Sequence, residues 1–64
     1  MTKFPDRLRA ARKEKGYTQE WMAQQMRIHR TTYTKYETGV TEPSMECLLR
    51  IIKLLDINPM ELLE

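Results

Sequence analysis

"TQEWMAQQMRIHRTTYTKYETG", residues 18–39, reads as two short helices separated by a tight break, and that pairing decides the fold. Thr18 is a natural N-cap, and Glu20 sits just inside, where a carboxylate meets the positive end of the helix dipole. Met22, Ala23 and Met26 then share one face at helical spacing. Beyond "RIH", the segment "RTTYTKYET" forms the second helix of the pair, closed by Gly39. Its composition is unusual. Threonine stands at 31, 32, 34 and 38, although its branched β-carbon restricts χ1 and makes it a mediocre helix former. Stability alone does not account for that choice.

Placing residues 29–38 on a helix at about 100° per residue separates them into two faces. Tyr33, Tyr36 and Glu37 fall on one side, which is aromatic and able to pack. Thr31, Thr34, Lys35 and Thr38 fall on the other, with Arg30 at its N-terminal flank. The second face has hydroxyls and cations and no apolar side chain. Such a face suits the DNA major groove: Arg and Lys donate to guanine O6 and N7, and threonine bonds to bases or phosphates. A merely solvated face would more typically hold Glu, Lys and Gln, the better helix formers.

The flanking sequence continues the helical pattern. "PDRLRAARKEKG" is a first helix, with Pro5 in its first turn, Asp6 near its positive end, Lys13 and Lys15 near its negative end, and Gly16 closing it. "GVTEP" is a loop. Ser44 caps a fourth helix, "MECLLRIIKLLD", and Asn58 caps a fifth, with Pro59 at its first position. Leu8, Ala11 and Arg12 share a face, as do Leu48, Ile51, Ile52 and Leu55. The Met residues read as core filling rather than a cofactor box. No strand-like alternation and no repeat interrupts the pattern. The expectation is an all-α, five-helix single domain over residues 1–64.

At 64 residues, 41% hydrophobic and 31% charged, the chain suits a small soluble globular domain. No segment approaches a membrane span, and the charged opening does not resemble a signal peptide. Cys47 is the lone cysteine, compatible with a reducing cytoplasm. Net charge is +2, but it is unevenly distributed: nine Lys/Arg face four Asp/Glu in residues 1–41, and two face five in residues 42–64. The basic portion points to an anionic partner, with nucleic acid foremost. Enzymatic chemistry is the weakest reading. His29 and Cys47 stand on different helices, no Gly-rich phosphate loop occurs, and the acidic residues lack metal-ligand spacing. No catalytic, metal or cofactor site is expected.

"RLRAARKEKGYTQEWMAQQM", followed by "RIHRTTYTKYETG" and "PSMECLLRIIKLLDINPMELL", resembles the phage repressor/Cro-type helix-turn-helix family, also called the XRE family. The resemblance covers about residues 4–63. Its most specific parts are "YTQ", "KYETG" and "EPSMECLLRIIKLLDI" in combination. It implies a five-helix fold in which the second and third helices form the motif and the third, about residues 30–38, is the recognition helix. By position, the resemblance implies that Gln19 anchors to a phosphate or base edge. It places His29, Arg30, Thr31, Thr34 and Lys35 where relatives read bases, and Thr32 where they touch phosphate. Thr38 lies too far along to reach. Arg12 and Glu37, both inward-facing by periodicity, occupy positions where charged relatives form a semi-buried bridge between the first and third helices.

Three positions depart from the family pattern. Arg27 stands where the turn usually has glycine, and a left-handed backbone there costs a non-glycine residue roughly 1–2 kcal/mol. Contact between Arg27 and a phosphate would offset that cost. His29 replaces the usual small N-cap residue. Trp21 replaces a polar residue, and either packs against the end of the first helix or lies exposed at a partner surface.

The function implied is sequence-specific recognition of double-stranded DNA by a cytoplasmic transcriptional regulator, a repressor, of bacterial, phage or mobile-element origin. The chain is either a small self-contained regulator or the DNA-binding part of a longer one. No small-molecule effector is expected. One recognition helix covers only a few base pairs, so a homodimer on a palindromic operator is expected. Leu54, Met60, Leu62 and Leu63 in the acidic C-terminal third are the expected pairing surface. The alternative is a protein-interaction module, such as an antitoxin or anti-repressor, using the same fold without DNA. In such a module the outward face of the third helix should be acidic or apolar.

Overall fold

In the computed structural model, which describes residues 3–63, short polar side chains set where most helices begin. Thr18 Oγ1 accepts from the Trp21 amide at 2.9 Å and Ser44 Oγ accepts from the Cys47 amide at 3.2 Å. Asn58 Oδ1 accepts from the Met60 amide at 2.9 Å. Each side chain satisfies one of the orphan donors at a helix start. The resulting helices are α1 (Phe4–Lys15), α2 (Gln19–Met26), α3 (Arg30–Thr38), α4 (Met45–Leu55) and α5 (Pro59–Leu63). No strand occurs among the described residues. The all-α, five-helix expectation is therefore met.

The first four helices all end on a left-handed residue: Gly16, Arg27, Gly39 and Asp56. Gly39 has a second constraint, because a β-carbon there would lie 3.3 Å from Pro5 Cγ. Arg27 has φ 57° and ψ 42°, so the turn is left-handed without a glycine. Asp56, at φ 50°, is a second non-glycine example that the sequence did not disclose. Aspartate tolerates this region better than most residues. Arg27→Gly is therefore expected to raise stability by about 0.5–1 kcal/mol, relieved strain being partly offset by the greater freedom of glycine in the unfolded chain. A thermal melt with an unchanged or lower midpoint would contradict this.

α3 packs between α1 and α2, while α4 contacts α2 and α1, and α5 closes onto α1. The core comprises Phe4 and Leu8 of α1, Met22, Ala23 and Met26 of α2, Tyr33 and Tyr36 of α3, Leu48, Ile51 and Leu55 of α4, and Leu62 of α5. Packing α3 on two sides leaves one side of that helix outward, and this exposes the polar face.

Some positions differ from expectation. Phe4 begins α1 one residue earlier than the Pro5 start and is buried. Ala11 and Ile52 are only partly buried against the core. Leu62, expected at a pairing surface, is 1% exposed and belongs to the core. Its i−3 and i+1 neighbours, Pro59 and Leu63, both face outward. A helix this short offers too few residues for spacing alone to select the buried face.

Candidate nucleic-acid interface

The outward side of α3 is defined by what the inward side holds. Tyr33, Tyr36 and Glu37 are buried, and this rotation turns Arg30, Thr31 and Lys35 to solvent. Thr32 and Thr34 are half-buried at the two margins. Arg30, Thr31, Thr34 and Lys35 line one shallow surface hollow. Arg30 is shared with a neighbouring hollow lined by Arg12, Tyr17, Thr18, Gln19 and Glu20 at the start of α2. Two further expected residues, Arg27 and His29, line a third hollow with Ile28. His29 is exposed, and its side chain makes no capping bond at the start of α3. Thr38 bonds back to the Lys35 carbonyl at 3.3 Å.

Behind this surface lies a buried ion pair. Arg12 Nε donates to Glu37 Oε2 at 2.6 Å, and Nη2 donates to Oε1 at 3.1 Å. The third guanidinium nitrogen, Nη1, donates to the Tyr17 carbonyl at 2.8 Å. The fork geometry is the strong form of this contact. Both residues are buried, with Glu37 2% exposed. Burial alone would push the Glu37 carboxyl up, but hydrogen bonds from Arg12 and Gln19 and the nearby guanidinium charge hold it below the ordinary carboxylate range. Arg12 is raised by its hydrogen bond to Glu37, against the opposing effect of burial. The Tyr33 hydroxyl is also buried, without a hydrogen-bond partner among the described residues, and burial pushes its ionisation far up.

Both ends of the Gln19 side-chain amide are bonded to α3. Its Nε2 donates to Glu37 Oε1 at 3.1 Å, and its Oε1 accepts from Thr34 Oγ1 at 3.4 Å. Nothing in the sequence links position 19 to positions 34 and 37. The link arises only when α2 and α3 dock. Trp21 is half-buried, its ring stacked on Tyr17 with centroids 4.1 Å apart. The contact is thus with the turn between α1 and α2, and the rest of the ring stays open to solvent.

Three basic side chains were not anticipated as a group. Arg27, Arg50 and Lys53 line a hollow with Gln25 and Leu54. Arg50 also donates to the Met26 carbonyl at 3.2 Å, tying α4 to the end of α2. Leu54 is half-buried in this basic setting, although its third of the chain is acidic overall. Met60, at 61%, and Leu63 are exposed, as are Val40, Met45 and Leu49. Among the described residues no group of His, Cys, Asp or Glu is placed to hold a metal ion, and no helix is long and apolar enough to cross a membrane.

Comparison with known proteins adds to this geometry. A family model described as helix-turn-helix matches residues 8–62. The chain is 40% identical over 55 residues to the uncharacterized HTH-type transcriptional regulator YqaE of Bacillus subtilis, covering 86% of this chain and 47% of that protein. It is 42% identical over 60 residues to the cryptic phage CTXphi transcriptional repressor RstR of Vibrio cholerae, covering 94% and 54%. It is 38% identical over 60 residues to the HTH-type transcriptional activator BcrR of Enterococcus faecalis, covering 94% and 29%. The chain thus spans about half the length, or less, of these relatives. No solved structure matches it closely enough to count as a relative.

Proposed function

Because the chain belongs to the phage repressor/Cro-type (XRE) helix-turn-helix family of transcriptional regulators, we propose that it binds double-stranded DNA sequence-specifically through α3 in the major groove. One observation carries the reading. The outward face of α3 gathers Arg30, Thr31, Thr34 and Lys35 into one hollow free of apolar side chains. Arg30 and Lys35 are the base-reading cations, Thr31 and Thr34 are short hydrogen-bonding groups that let the backbone approach, and Thr32 at the margin meets phosphate. His29 stands at the N-terminal end of the same face. Gln19 and Arg27 flank it and contact the backbone of the duplex.

An acidic or apolar face would have favoured the antitoxin or anti-repressor alternative, and this face is neither. Repression by occupying an operator is the regulatory sense we propose, with RstR as the relevant likeness. The setting is the cytoplasm of a bacterium, where the lone Cys47 stays reduced. The test is a salt titration of binding to duplex DNA. The logarithm of affinity should fall linearly with that of salt, and Arg27→Gly should make the slope shallower by about 0.9. A slope that does not change with this substitution would remove Arg27 from the phosphate contacts.

Pairing on a palindrome is part of the same proposal, with half-sites one helical turn apart, roughly 34 Å. Leu62 is excluded by its burial, which leaves the half-buried Leu54 and the exposed Met60 and Leu63. Met45 and Leu49 form a separate exposed stripe on α4, with Leu49 about 140° around the helix from Leu54. Leu54→Glu and Met60→Glu are expected to abolish binding of two chains per duplex and to weaken operator binding at least tenfold, whereas Leu49→Glu has little effect. Analytical ultracentrifugation with and without a palindromic duplex makes the comparison. One chain per site for the parent protein would defeat the paired arrangement.

A further inference from the structure

We infer that Glu37, without touching DNA, fixes the hydrogen-bonding sense of Thr34, so that the base facing Thr34 is one offering an amino group in the major groove. The inference rests on the proposed DNA-binding reading and adds a base preference to it.

An ionised carboxylate only accepts hydrogen bonds, whereas an amide has a donor end and an acceptor end. Glu37 Oε1 lies 3.1 Å from the Gln19 side-chain nitrogen, so the carboxylate selects the donor end and turns the Gln19 carbonyl away from itself. Arg12 holds the carboxylate in place through two hydrogen bonds, which prevents it from turning to suit a flipped amide. The Gln19 carbonyl then faces Thr34 Oγ1 at 3.4 Å. A carbonyl only accepts, so the bond at this contact takes the single hydrogen of the Thr34 hydroxyl. Its remaining capacity is two lone pairs. On the outward face of α3, Thr34 is therefore an acceptor.

Major-groove edges sort bases by this property. Adenine N6 and cytosine N4 are amino donors, whereas guanine N7 and O6 and thymine O4 are acceptors. An acceptor-only Thr34 bonds to adenine or cytosine and opposes guanine or thymine. Glu37 is thus a positioning residue, and Gln19 transmits its effect. The 3.4 Å contact is the longest of the bonds linking Arg12, Glu37, Gln19 and Thr34, so the most direct test acts on Gln19.

The experiment takes a duplex bound by the parent protein and substitutes each base pair in turn with the other three. Dissociation constants are measured by fluorescence anisotropy for the parent, Thr34→Val, Gln19→Met and Glu37→Gln, at a temperature where circular dichroism shows each variant folded. At one position the parent should favour adenine or cytosine by about three- to tenfold, the worth of one hydrogen bond. Thr34→Val should remove that preference. Gln19→Met keeps the Arg12–Glu37 pair but frees the hydroxyl to rotate, so it should reduce the preference to under twofold. Glu37→Gln presents an amide nitrogen to Gln19, flips it, and should move the preference toward guanine or thymine.

The inference is overturned if the parent favours guanine or thymine at the position that Thr34→Val affects, or if no position responds to Thr34→Val. It is also overturned if Gln19→Met leaves the preference intact, or if folded Glu37→Gln does. Should Glu37→Gln not fold, Gln19→Met decides alone. A parent protein indifferent to every substitution would defeat the DNA-binding reading itself, and this inference with it.

Discussion

Glu37→Ala is expected to cost about 3–5 kcal/mol, the usual penalty for removing one partner of a buried ion pair. At roughly 0.05–0.15 kcal/mol per residue, a domain of this size holds only about 3–10 kcal/mol in total. The variant should therefore be partly or wholly unfolded at temperatures where the parent is intact, with a melting midpoint lower by at least roughly 12 °C. The cause is local. Arg12 would keep the Tyr17 carbonyl but lose both bonds to the carboxylate. Gln19 would lose its inward partner as well. The remaining Tyr17 bond favours the lower half of the range.

The same pair predicts acid sensitivity. The folded Glu37 carboxyl titrates below its unfolded value. Its contribution is thus fully present above the ordinary glutamate pKa of about 4.3, and is lost as pH falls through the depressed folded value. The parent should lose stability on acidification through this range, and the alanine variant should lose less. A melt unaffected by Glu37→Ala would make Arg12 and Glu37 dispensable to the fold.

Arg30→Ala and Lys35→Ala should each weaken binding to the preferred duplex by about 1–3 kcal/mol and relax base preference at the position contacted. Both side chains are exposed and pair with no carboxylate among the described residues, so their removal should leave the melting midpoint nearly unchanged. This separates them from Glu37, whose substitution acts first on stability. Equilibrium titration against the preferred duplex and against single-base substitutions makes both measurements. Unchanged affinity and unchanged preference in both variants would remove the outward face of α3 from the groove.

The local features were the most legible in the sequence. Thr18, Ser44 and Asn58 are side chains whose chemistry serves a helix start, and each makes the expected bond. The two faces of α3 were readable because an inward charge at Glu37 and four outward polar residues follow helical spacing over more than two turns. α5 has only five residues, too few for spacing to show that Leu62 rather than Met60 or Leu63 enters the core. The left-handed Asp56 was missed because aspartate permits that conformation without requiring it, whereas a glycine would have signalled it. Tertiary contacts were the least legible. The joining of Gln19 to Glu37 and Thr34, and the meeting of Arg27 with Arg50 and Lys53 around Leu54, depend on how the helices dock. For that reason the net acidity of the C-terminal third did not disclose the basic surroundings of Leu54.

Selection of bound duplexes from a random pool would show whether the α3 face reads DNA sequence. Repeated rounds with the parent protein should enrich one short sequence, arranged as two inverted half-sites about ten base pairs apart, centre to centre. The Arg30→Ala, Lys35→Ala double variant, folded to the same extent, should lose that enrichment. A parent pool that stays as diverse as its input after selection would contradict the account.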